Sequence, residues 1–483
     1  MLNNFTKLQL TQLANDMAAG FAIVKHNHTL YLPVDYRTRK IDPALAPEDR
    51  VWIPITMPQV LELANNTSKV MFYSEGEKSS FYGMVEQAAK PAYATPGTVL
   101  VVKDGKLAEL RSDGQLHDPT LEFCPNFIAI PINDDDEAKA SVKATMVEWL
   151  DDSEEDAESL LAHLATALAP HWSAVKYVLL IGEGRNGKSV LMKMLLGLLG
   201  EHNVSFVTRQ DMSASKSTCL DLQGKLANIV FDGPASYLKD SGPEKSLIAG
   251  ETTPIRRLYS SLVTPVRTNG LFIEGLNREP KTGDKSLALQ KRLVRFQFTR
   301  TYELDYKFEA HMLSEPTLGA FLALLLEHYV RQSEVHTKLK PTQSSVSLQL
   351  EQMHTNSLPF QFISWFDEND ALGVEGLVGE LIPDVAQKFK QWRLSEMGDI
   401  NVWADKDVEQ MLTPLFLTDR KSKRINGKVR KVRVITGFRQ QLEQFIHYLQ
   451  GEEEADVSIA SGSTTTVVDT DELLHGVESA ATD

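Results

Sequence analysis

At 483 residues the chain exceeds what one hydrophobic core usually serves, so roughly two to four domains are expected. Its 42% hydrophobic and 24% charged residues are those of an ordinary globular protein, and its apolar runs fall short of the ~18 residues that span a bilayer. The net charge of −15 speaks against nucleic acid only until its distribution is considered: nine acids and no Lys or Arg lie between Gly451 and Asp483. The first 450 residues therefore carry only −6, and Arg420 to Arg439 hold nine basic residues with no acidic one, a local cluster that suits a phosphate backbone.

The start, MLNNFTKLQL, has no basic segment leading into an apolar one, so no secretory signal is expected. Two cysteines, Cys124 and Cys219, are too few for a cysteine-rich zinc module and are expected as reduced thiols in a cytoplasm, with no membrane association. Residues 1–110 mix β-like runs (GFAIV, KVMFY, GTVLVV) with a helix-like one (MPQVLELAN), an α+β domain of unassigned role. Residues 111–172 contain SVKATMVEWL and AESLLAHLATAL, whose apolar spacing predicts an antiparallel helical collar for oligomerisation. The acidic clusters Asp134–Glu137 and Asp151–Glu158 read as solvated helix ends rather than metal ligands.

From Lys176 the pattern changes. KYVLLIGEG is a buried strand running into a glycine turn, and KSVLMKMLLGLLG is a helix that Gly200 caps. Between them Gly182, Glu183, Gly184, Arg185, Asn186, Gly187, Lys188 and Ser189 fit G-x-x-x-x-G-K-[ST], the phosphate-binding loop. The glycines let backbone N–H groups wrap phosphates at the helix N-terminus, Lys188 would reach the β- and γ-phosphates, and Ser189 would ligate Mg²⁺. ATP and Mg²⁺ are thus the expected ligands.

Two further apolar strands end in polar residues, an arrangement that predicts an α/β sheet with its site at the strands' C-terminal ends. LANIVFD ends at Asp232, 44 residues after Lys188, a second candidate for holding Mg²⁺. Gly233-Pro234 follows where a second acid would orient the attacking water; Glu251, or Asp232 alone, is the candidate substitute. LFIEGLN ends at Asn277, whose amide could hold that water or sense the γ-phosphate. In ALQKRLVRFQF, Arg292 is the candidate finger acting across a subunit boundary, with Lys291 and Arg295 as rivals. Lys245, Arg256, Arg257 and Tyr259 combine cations with an aromatic ring, as a loop gripping single-stranded DNA requires; a solvated charged turn is the other reading.

Residues 173–345 thus form the ATPase core, and 346–450 a winged-helix-like domain. There PDVAQKFKQWRLSEM and DKDVEQMLTPLFL read as helices preceding a basic hairpin turned at Asn426-Gly427. Lys421, Lys423, Arg424, Lys428, Arg430 and Arg433 would neutralise phosphates, or alternatively protect an exposed edge. Residues 451–483 read as an acidic disordered tail that could repel or mimic DNA, recruit a replication protein, or serve solubility.

The order of these motifs resembles superfamily 3 helicases of the phage, plasmid and poxvirus primase–helicase type. The resemblance runs from about Gly97 to Gly437 through GEGRNGKS, DLQGKLANIVFD, EKSLIAGETTPIRRLY, LN-x-x-P and QKRL-x-x-F. It implies an AAA+-like core assembling as a hexameric ring on single-stranded or forked DNA. Lys188 and Ser189 then match Walker A, Asp232 Walker B, Asn277 sensor 1, Arg292 the trans finger, and Arg256 and Arg257 the pore hairpin. Ala249 and Glu251 depart mildly from the family signature around Gly250. No paired catalytic acids or zinc ligands suggest a primase in the first 110 residues, so a helicase without primase activity is expected. The alternatives are a DNA-binding initiation or assembly factor that hydrolyses ATP weakly and, less well matched, a small-molecule kinase.

Overall fold

The computed structural model describes residues 6–443 apart from 28, 95–96, 103–104, 121–122, 170–176, 215, 235–241, 257–262, 269, 281–288, 290–291, 336–338, 340, 398–403, 426–427 and 440–441. The N-terminal region is α+β. A sheet in the order Arg50–Ile55, Thr29–Asp35, Val24–His26, Lys90–Pro91 packs with helices Lys7–Gly20, Met57–Ser68 and Glu75–Ala88 around Leu30, Val60, Phe81 and Val85. Capping boxes at Thr6, Thr56 and Ser74 start these helices, each such cap contributing about 1 kcal/mol. The β-like run KVMFY is not a strand. Lys69 leaves the preceding helix in the left-handed conformation and Ser74 caps the next, and the residues between them have no strand to pair with among the described residues. A second sheet, of Leu116–His117, Leu107–Leu110, Thr98–Val101 and Phe127–Pro131, leads toward the centre of the chain.

The two helices expected after it form at Asp136–Trp149 and Glu154–Ala165, with Asp135 and Ser153 as N-caps and acids in both first turns. They lie against the 21-residue helix Glu315–Val335. Their apolar faces (Val142, Met146, Trp149, Leu160, Leu164) share one core with Val178, Leu180, Leu191 and Leu195, so no break in packing separates this helical pair from the central sheet.

At the centre is an all-parallel five-stranded sheet ordered Val204–Ser205, Ala227–Val230, Leu271–Leu276, Tyr177–Ile181, Leu293–Gln297. Strands buried on both faces explain the unbroken apolar runs in the sequence. Val178, Leu180, Ile273 and Val294 meet the helix Lys188–Leu199 on one face. Tyr177, Leu179, Phe272 and Leu276 meet Leu247, Ile248 and Val266 on the other. Gly200 ends the helix at φ 78°, as expected.

The C-terminal region has its own core of Phe360, Phe362, Val385, Phe389, Val408 and Phe416. Helices Ile382–Met397 and Asp405–Leu412 precede a long hairpin, Phe416–Ile425 with Lys428–Phe438, in which Ile425 stands opposite Lys428. The expected turn, Asn426-Gly427, and the acidic tail 451–483 lie outside the described residues. Among the described residues no helix is long and apolar enough to cross a membrane.

Candidate active site

The glycine-rich loop follows the strand Tyr177–Ile181 and opens the helix Lys188–Leu199, which the motif requires. Gly187 adopts φ 93°, and a Cβ there would stand 2.7 Å from the Trp149 ring, so only glycine fits both the turn and the neighbour. The loop is held from three sides. The Asn186 amide donates to Glu183 O (2.6 Å) and Phe298 O (3.2 Å), Tyr302 N–H donates to Arg185 O (2.8 Å), and Gly182 N–H donates to Leu276 O (3.0 Å). Asp151 and Asp152, read in the sequence as part of a solvated helix end, are exposed and also bind Thr299 and Arg300, tying the helical pair to this brace.

The Lys188 ammonium is folded back on the loop, donating to Gly182 O (2.5 Å) and Asn186 Oδ1 (2.9 Å). Burial lowers its pKa from the ordinary lysine value, while the Asp232 carboxylate opposes the shift. Asp232 lies two residues beyond Ala227–Val230 and is exposed, as is Ser189 in the first helical turn. Asn277, also exposed, directly follows Leu271–Leu276, and the next residue, Arg278, reaches Glu183 of the loop at 3.5 Å. The sheet order thus brings Lys188, Ser189, Asp232 and Asn277 to one edge.

Arg292 is placed differently. Its carbonyl accepts from Tyr177 N–H (2.7 Å), which sets it at the beginning of Leu293–Gln297 and so at the opposite edge of the sheet from the loop. Five residues of strand separate those edges by about 17 Å. Arg295 is unavailable as a finger: it is 1% exposed and paired in bidentate fashion with Glu279 at 2.8 and 2.9 Å. Lys291 lies outside the described residues.

Lys245 is on the helix Gly242–Ile248, and Arg256 is exposed at the end of Thr253–Arg256, which pairs with Val263–Val266; Arg257 and Tyr259 lie outside the described residues. Glu251 stands exposed at the foot of this hairpin, its N–H on Ser246 O, and among the described residues no hydrogen bond or ion pair joins its carboxylate to the loop. In the C-terminal hairpin, Lys421 and Arg433 are exposed. Its register sets Arg420 opposite Arg433 and Lys423 opposite Arg430, with Arg424 opposite Val429.

A buried charged cluster lies beyond what the sequence motifs indicate. Arg209 donates to Glu244 (2.6 Å) and lies 4.0 Å from Glu274, which packs against Gly233, all three side chains being buried. Burial pushes the Glu274 carboxyl up to about 7, Arg209 opposing this and Glu244 and Glu279 adding to it. An acid inside the apolar run LFIEGLN was the only available signal.

A parallel α/β sheet with a glycine-rich loop opening a helix at its C-terminal edge defines a protein of mixed α/β class consistent with a nucleotide-hydrolase core. Over 149 residues the chain is 30% identical to a protein that carries a helicase name, L207/L206, in Acanthamoeba polyphaga mimivirus; the match covers 29% of this chain. The chain spans only 15% of that relative's length. No protein-family profile matches the chain. Among solved structures, an apo A form of the NrS-1 C-terminal region is similar with TM-score 0.46 and 12% identity over 85% of this chain and 94% of that one. A second apo structure of the region gives 0.44 and 11% over 89% and 100%. These scores are too low to establish a shared fold.

Proposed function

We propose that this chain is an ATP-driven DNA helicase of superfamily 3, working in replication as a hexameric ring on single-stranded or forked DNA in the cytoplasm of its host, without primase activity. The observation that carries the reading is the sheet order. It gathers Lys188, Asp232 and Asn277 at one edge and leaves Arg292 at the other. An arginine so far from its own loop would meet a neighbour's nucleotide rather than its own, the arrangement a ring provides.

In this reading backbone N–H groups of Gly182–Ser189 hold the ATP phosphates, and Lys188 exchanges its contacts to Gly182 and Asn186 for the β- and γ-phosphates. Ser189 and Asp232 would hold Mg²⁺, which supplies neutralising charge on the phosphates. Asn277 positions the water, and Arg292 of the adjacent subunit meets the charge developing on the γ-phosphoryl group. The hairpin from Thr253 to Val266, bearing Arg256, Arg257 and Tyr259, follows the strand in the pore with Lys245 behind it. The C-terminal region acts as a winged-helix-like module. Like charges directly opposite in a hairpin are destabilising, so the cross-strand pair Arg420–Arg433 favours a polyanion as ligand over a simple solubilising edge. The acidic tail would engage a basic replication partner.

The departure at Gly233 keeps a second reading in view, an initiation or assembly factor that binds ATP and DNA and hydrolyses poorly. Strand displacement separates the two. The helicase displaces one strand of a forked duplex in the presence of ATP, whereas its Lys188→Ala variant does not. Binding to the fork with ATP but without displacement would favour the assembly factor.

A further inference from the structure

Asp232 is followed by Gly233, where a water-orienting acid would stand, and the sequence offers no acid beside it. The fold brings one from the neighbouring strand. Glu274 pairs with Val230 in the parallel register of Leu271–Leu276 with Ala227–Val230. At the end of that strand, Gly233 N–H donates to Gly275 O (2.8 Å) and Gly182 N–H to Leu276 O (3.0 Å). The strand end is therefore clasped between the phosphate loop and the Asp232 segment, whose carboxylate is within electrostatic reach of Lys188.

Two observations concern the Glu274 carboxylate itself. A Cβ built on Gly233 would overlap Glu274 Oε1 and lie 2.6 Å from its carboxyl carbon. The Glu274 carboxylate thus fills the space from which a side chain at position 233 would begin, and the two positions cannot both bear an acid. Second, Glu274 is 1% exposed, and its Oε2 faces the Arg209 guanidinium and the buried Tyr177 hydroxyl without a close hydrogen bond among the described residues. Arg209 Nε is engaged by Glu244 at 2.6 Å and stays 4.0 Å from that oxygen. A buried carboxylate oxygen held only by such longer contacts gains from a hydrogen-bond donor brought to it.

We propose that Glu274 replaces the acid missing at position 233, accepting a proton from the water that attacks ATP. This rests on the reading of the loop as an ATP-hydrolysing site. The water oxygen bonds to the γ-phosphorus, the bond from that phosphorus to the bridging oxygen breaks, and the water's proton passes to Glu274, giving ADP and inorganic phosphate. The exchange of an acid at 233 for one at 274 leaves a carboxylate at the Gly233 position while changing the strand that carries it. Its elevated pKa suits a proton acceptor working near neutral pH.

The test uses the full chain and measures mant-ATP binding and steady-state ATP turnover for four proteins: wild type, Glu274→Gln, Glu274→Ala, and Glu274→Ala combined with Gly233→Glu. The expected result is that Glu274→Gln binds mant-ATP within about twofold of wild type while kcat falls roughly 100-fold with KM little changed, the size of effect a general base supplies. The double variant, in which removal of the Glu274 side chain leaves only the flexible tip of Leu276, 2.6 Å from the new Cβ, to shift aside, should regain about tenfold in kcat over Glu274→Ala. A Glu274→Gln protein that keeps kcat within about threefold overturns the proposal, as does loss of turnover that the relocated acid does not recover. Absence of ATP turnover in the wild type instead overturns the parent reading, so the two failures are distinct.

Discussion

Single residues in this site are set by the company the fold gives them. Arg295 and Arg292 are three positions apart in one basic run, and the sequence does not tell them apart. The structure buries Arg295 against Glu279 and leaves Arg292 at a strand entrance. Removing one member of a buried ion pair strands the other, at a cost of ~3–5 kcal/mol. Arg295→Ala is therefore expected to lower the unfolding free energy by about that amount in urea titrations. Glu274 gives a pH signature. Its folded-state pKa, about 7, lies above the ordinary 4.5, so protonation favours the fold. That contribution is fully present below the ordinary value and is lost as pH rises through about 7. Melting temperatures measured across this window should fall less with pH for Glu274→Gln than for wild type; equal slopes would contradict the assignment of this titration to Glu274.

At the scale of elements, the parts of the site carried by short-range patterns were legible. An apolar run ending in glycines announced Tyr177–Ile181 and its loop, and Gly200 announced the end of the helix, because those signals lie within a few residues of what they specify. What depends on distant neighbours was not legible. Trp149 beneath Gly187, Asp151 and Asp152 on Thr299 and Arg300, and Glu274 under Gly233 are contacts between segments far apart in the chain. KVMFY had the composition of a strand but no strand to pair with, and composition alone does not supply a partner. The basic hairpin is legible from Asn426-Gly427 between two basic, alternating runs, although Arg420 facing Arg433 emerges only from the register. In DNA-binding titrations over a range of salt, Arg420→Ala with Lys421→Ala should weaken binding of single strands. The slope of log K against log salt should shrink by roughly 0.7 for each phosphate no longer neutralised. An unchanged slope would return the hairpin to the role of a protected edge.

Across the whole molecule, the N- and C-terminal regions have cores of their own, and the helices 136–165 are part of the central core rather than a separate layer. Arg292, on the far edge, ties the proposed chemistry to an assembly rather than a single chain. Arg292→Ala is expected to bind ATP normally and lose turnover. Mixing it with Asp232→Ala subunits should restore part of that turnover, since each then supplies what the other lacks. If the two inactive variants remain inactive together while forming mixed assemblies, the trans role is wrong. Whether the protein is a DNA-coupled ATP motor is tested most directly by ATP hydrolysis with and without single-stranded DNA, for wild type, Lys188→Ala and Asp232→Ala. Hydrolysis by the wild type should rise severalfold with DNA and be abolished in both variants. Hydrolysis indifferent to DNA, or none in the wild type, would refute the motor.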